Sequence, residues 1–168
     1  MIERNRELPQ SRYYLRGAQY GIDALVAQRP MDEAFLFFVV GILASLRAVQ
    51  HALLNHDSKL SDEHKAVIET WKKETPMDSP EIMFIKRSRD LILKEGAFEA
   101  YATRTESGIG EGSNFQITAE GYDTAYYVDG ERRDLLEDMR VAVAWCDREL
   151  NAIEAQVPEI NLPGDTAE

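Results

Sequence analysis

One cysteine, Cys146, in 168 residues excludes an internal disulfide framework and a cysteine-rich zinc site, and it points to a reducing compartment. Histidine is scarce as well. His51, His56 and His64 are irregularly spaced, with no HExxH pattern and no cysteine companion, so no metal site is expected. Basic residues are outnumbered 19 to 30 by acidic ones, and the formal net charge of -11 repels a phosphate backbone over most of the surface. The most apolar stretch, Ala34 to Leu46, is interrupted by Ser45 and followed by Arg47. That falls short of the roughly 20 residues a membrane span needs, so a buried core helix is expected. Residues 1–10 are charged and carry Pro9 without an apolar segment, unlike a secretory signal. A cytoplasmic location without membrane contact follows as the expectation.

What is present is a 44% hydrophobic composition, enough for one sizeable core. The expected fold is mainly α: a helical bundle of about five helices with a small antiparallel β element inserted near residues 97–128. It forms a single domain over residues 1–158, followed by a flexible tail at 159–168. Ser11 to Gln28 has helical composition, and Gly17 and Gly21 inside it weaken it unless they let a neighbouring helix approach. Residues 33–54 read as the strongest helix, apolar on almost every side and so placed at the centre of the bundle. Ser61 before Asp62 and Glu63 opens a helix to about Lys73, and Ser79-Pro80-Glu81 opens another that Gly96 is placed to end. Phe98 to Arg104, Phe115 to Ala119 and Tyr122 to Val128 are short, β-prone and separated by glycine-bearing turns. Past Asp129-Gly130 the helical period returns, with Leu135, Met139, Ala142, Val143, Cys146, Leu150, Ile153 and Val157 in one arc until Pro158.

Several residues invite a chemical reading. Gly108, Gly110 and Gly112 lack the Lys-Ser or Lys-Thr and the helix that a phosphate loop requires, so they read as a flexible hairpin loop. Tyr122, Tyr126 and Tyr127 have no interleaved basic residues, which favours strand alternation over a base-stacking platform. On the helix from Glu81 to Glu95, Arg89 shares a face with Ile82, Ile85, Ile92 and Leu93, and a guanidinium aimed at a core needs a carboxylate or carbonyl partner. Arg47 and His51, one turn apart, are polar intrusions on the apolar helix. Arg47, Lys86, Arg87 and Arg89 are the candidate binding residues, and no cofactor or metal is implied.

The order of these elements resembles the HEPN-like superfamily, helical bacterial domains found in toxin–antitoxin and defence systems. The resemblance runs from the helix carrying Arg47, through the helix around Trp71, to the segment Phe84 to Gly96 and the final helix. In active ribonucleases of that superfamily an Arg followed by a polar residue, commonly Asn, precedes a His, and the set is paired across a homodimer. Arg89 matches the Arg, while Asp90 stands where the Asn would be and Lys94 where the His would be. An ordinary lysine stays charged at pH 7 and cannot act as a base, so the resemblance implies a degenerate, non-catalytic binding or assembly module, as a homodimer or with a protein partner. A second reading is a metal-independent endoribonuclease using Arg89 with Lys94 or His51. A third is an acidic inhibitor of a basic nucleic-acid-binding partner.

Overall fold

A computed structural model describes residues 8–76, 78–90, 100–109, 116–128 and 130–157. Among them the chain is mainly helical, with five α-helices, one 3-10 turn and a three-stranded antiparallel sheet. The predicted flexible tail and the predicted stop at Gly96 lie outside the described residues.

Helix α1 (Pro9–Gln28) begins on a proline, whose fixed φ suits a first turn and whose missing N–H is not needed there. Its cap comes from far along the chain. The buried carboxylate of Asp57 accepts from the backbone N–H groups of Gln10 (3.2 Å) and Ser11 (2.9 Å) and from the Ser11 hydroxyl (2.5 Å). The helix ends at Arg29, whose left-handed backbone (φ 45) returns its N–H to the Leu25 carbonyl. Helix α2 (Asp32–Asn55) runs antiparallel to α1, and the two glycines of α1 face it. A Cβ on Gly21 would sit 2.7 Å from Ile42 Cγ1, so glycine is what permits the close approach.

A 3-10 turn (Asp57–Lys59) leads to α3 (Asp62–Glu74), where the Ser61 hydroxyl accepts from His64 N–H as the sequence predicts. Helix α4 (Pro80–Asp90) opens with Ser79 Oγ accepting from Ile82 N–H at 3.4 Å. Helix α5 (Leu135–Glu154) packs against α1, α2 and α4, burying Leu135, Met139, Ala142, Cys146, Leu150 and Ile153 as the wheel predicts. Together with Leu15, Ile22 and Leu25 of α1 and Phe35, Ile42 and Leu46 of α2, they form one apolar core.

The sheet differs from expectation in its strands. Residues 116–128 are one strand, β2 (Gln116–Val128), paired with β1 (Ala100–Ile109), rather than two segments divided by a glycine turn. Gly121 does not turn the chain. It pairs with Thr105, and a Cβ there would collide with Thr105 Oγ1, so the glycine serves a close cross-strand approach. A further strand, β3 (Glu131–Asp134), precedes α5 after a tight turn in which Gly130 adopts φ +83. Its residues are polar and exposed, so no hydrophobic alternation announced it. The helical region therefore starts at Leu135, where Asp134 caps it by accepting from Glu137 N–H at 3.1 Å.

The position of α2 is a second correction. It is not enclosed on all sides: Phe35, Val39, Ile42 and Leu46 are buried, while Phe37 is 82% exposed and Leu36 and Val40 are also open. Continuous helix from Asp32 to Asn55 also exceeds the Ala34 to Leu46 segment, and its mean hydropathy of 1.7 over the best window makes it long and apolar enough to cross a membrane.

Candidate functional site

Two of the recesses among the described residues lie along α4. The first lies where α2, α3, α4 and α5 meet, walled by Leu46, Val49, Trp71, Ile82, Trp145 and Cys146, with Arg47, Gln50 and Glu149 at its edge. Glu149 accepts from the Trp71 indole N–H at 2.8 Å, and Arg47 donates to Gln50 one turn along α2. Its free volume is about 20 Å³, room for a single water, so this is a packed seam with a polar lip. Burial, with Glu149 and Asp147 nearby, pushes the Cys146 thiol up to about 12. At neutral pH it is a small hydrophobe and not a nucleophile.

The second recess, about 220 Å³, lies between α4, the sheet and α5 and is lined by Phe84, Arg87, Ser88, Tyr126, Arg133 and Asp138. Asp138 holds its wall together, accepting from the Tyr126 hydroxyl (2.7 Å) and from Arg133 (2.8 Å). Burial first, and the Asp138 carboxylate second, raise the Tyr126 pKa far above its ordinary value, so the phenol remains a donor. Phe84 meets Tyr126 edge to face with centroids 5.9 Å apart. A carboxylate already engaged twice is a structural acceptor here, and much of the groove is apolar, with Met83, Phe84, Val128 and Val141 in its lining beside the polar groups.

The candidate residues do not converge on one point among the described side chains. Arg47 borders the first recess and Arg87 the second, on different faces of α4. Lys86 is exposed, and so is His51, which lies within 3.2 Å of the Asn55 amide and borders neither recess. Arg89 lies within α4, its side chain outside the described set, and Lys94 lies outside the described residues. No group of three or more His, Cys, Asp or Glu side chains that could hold a metal occurs among the described residues.

Two groups escaped the sequence reading, and a third, His64, figured in it only as one of three histidines with no metal pattern. Arg12 on α1 reaches across to α5, bonding Glu154 through Nε (3.0 Å) and a terminal nitrogen (2.5 Å), and also Asp147 and Asn151. Asp57 is 1% exposed and caps α1, as described above. His64 is equally buried, and its Nε2 has no hydrogen-bond partner among the described residues. Contacts distant in sequence define the roles of Arg12 and Asp57, which no local pattern signals, whereas the His64 ring meets Ser61, three positions away. Phe37 is different: the run Phe35-Leu36-Phe37-Phe38 places apolar side chains around the whole helix, so one of them had to point outward. No family model matches the chain, and neither a curated protein nor a solved structure is similar to it.

Proposed function

We propose that the chain is a non-catalytic assembly module: a helical bundle that presents the outer face of α2 to another protein surface. The resemblance to HEPN-like domains supports this reading and suggests a bacterial or phage defence or toxin–antitoxin setting. The observation that carries it is Phe37, 82% exposed on an outward face that continues through Val40 and Ala44. A contiguous open apolar face of that kind is the usual mark of an interaction site. From Ala34 to Asn55 the helix contains no carboxylate, although the chain as a whole carries a net charge of -11. Repulsion between carboxylates is thus absent along this stretch of the apolar face.

The test is Phe37→Lys, which places a charge on the exposed face without disturbing the core. Its far-ultraviolet circular dichroism and melting should match wild type, while the complexes the wild type forms in sedimentation velocity should be lost. Purified protein should leave single-stranded and transfer RNA uncut. Specific cleavage abolished by Arg89→Ala would replace this reading with the endoribonuclease one.

A further inference from the structure

We infer that the outer face of α2 is built to pair with the same face of a second copy of this chain, the helices antiparallel about a twofold axis at the level of residue 42. This rests on the assembly reading and names its partner. Glu33, Phe37, Val40, Ala44, Arg47 and His51 all fall within about 40° of one line along the helix at 3.6 residues per turn. All are exposed except Arg47, which is half-buried. Along that line the order is acid, aromatic, aliphatic, small, arginine, histidine.

In an antiparallel pair centred on residue 42, Glu33 of each copy lies opposite His51 of the other, and Phe37 lies opposite Arg47. Val40 lies opposite Ala44. Each opposition is complementary: a carboxylate with an imidazole, a guanidinium with an aromatic face, a branched side chain with a small one. An isologous interface requires this self-complementarity, and a parallel pairing would set Glu33 against Glu33 and Arg47 against Arg47.

The dimensions agree as well. A 24-residue helix is about 36 Å long, and with α1 alongside the face is roughly 20 Å wide, or about 700 Å², near the 800 Å² per partner of a stable interface. Tyr13 and Tyr20 are also exposed, on α1. An anionic lipid surface is a poorer occupant, because the whole chain carries -11 and acids Asp32 and Glu33 head the helix.

The experiment is sedimentation equilibrium of the full chain and four variants over about a hundredfold range of concentration. Wild type should be a dimer. Ala44→Arg and Phe37→Lys should each weaken it on the order of a hundredfold, the second because the new lysine faces Arg47 of the other copy. Arg47→Glu alone should weaken it about tenfold, and Phe37→Lys combined with Arg47→Glu should recover most of the loss, since the new lysine then faces a glutamate. A dimer insensitive to Phe37→Lys and Ala44→Arg would use another face and overturn the inference. A double variant no tighter than Phe37→Lys alone would overturn the antiparallel register. A monomeric wild type would overturn it too; if that monomer floated with phosphatidylcholine vesicles the face would belong to lipid. If it lost a different protein partner on Phe37→Lys, the assembly reading would stand without the dimer.

Discussion

His64 sits in surroundings that disfavour its charged form. Its Nδ1 meets the Ser61 hydroxyl at 2.9 Å, its Nε2 has no hydrogen-bond partner among the described residues, and the residue is 1% exposed. Burial lowers its pKa below the ordinary 6.5, with Asp57 and Glu63 opposing the shift less strongly. A depressed folded pKa means that the unfolded chain takes up the proton first. The stabilisation is therefore whole above pH 6.5 and is lost as pH falls from there toward the folded value. Urea melts of wild type and His64→Leu between about pH 7.5 and 5.5 should show wild type losing more stability on acidification; parallel losses would show that the ring titrates normally. Asp57 is a second pressure point. Its replacement by Ala takes the acceptor from two backbone N–H groups at the start of α1 and leaves the hydroxyl of the fully buried Ser11 only the Val49 carbonyl at 3.3 Å. A loss of about 2 to 3 kcal/mol is expected in the same melts.

At the scale of elements, the two glycines of α1 make opposite predictions from one helix. A Cβ on Gly17 would meet Ser45 Oγ at 3.7 Å, ordinary contact, so Gly17→Ala should gain about 0.5 to 1 kcal/mol from helix propensity. On Gly21 it would press within 2.7 Å of Ile42, which is enclosed by the core and has nowhere to withdraw, so Gly21→Ala should cost about 1 to 3 kcal/mol. Thermal melts of the two variants should move in opposite directions. Composition alone reveals both glycines as helix weakeners, but which one is needed depends on where α2 lies. The same division runs through the fold. Caps at Ser61 and Ser79 and the buried arc of α5 were legible because each depends on residues within a few positions of one another. Strand β3 and the continuity of β2 across Gly121 were not, since pairing with distant backbone decides them. Of the candidate site, sequence located Arg47 and Arg87 on their helices but not their separation into two recesses, which follows from the way α4 packs on α2 and α5.

For the whole molecule, the decisive quantity is the conflict between a charge of -11 and an apolar face on α2. Two copies approaching through that face bring all their charge together, and the repulsion acts over the Debye length, about 10 Å at 0.1 M salt and about 3 Å at 1 M. Salt screens this long-range term strongly. It weakens the short Glu33–His51 and Phe37–Arg47 contacts less, and it leaves apolar burial untouched or slightly strengthened. The association constant should therefore rise several-fold as sodium chloride is raised from about 0.05 to 0.5 M, a trend readable by sedimentation or light scattering. An acidic protein that works by binding a basic surface through charge behaves in the opposite sense: its complex loosens steadily as salt rises, because every contact is an ion pair. Measuring the same salt series with a polylysine probe separates the two. Self-association that tightens while polylysine binding fades assigns the charge to solubility and the α2 face to assembly, whereas self-association that fades with salt would mean that ion pairs hold the copies together.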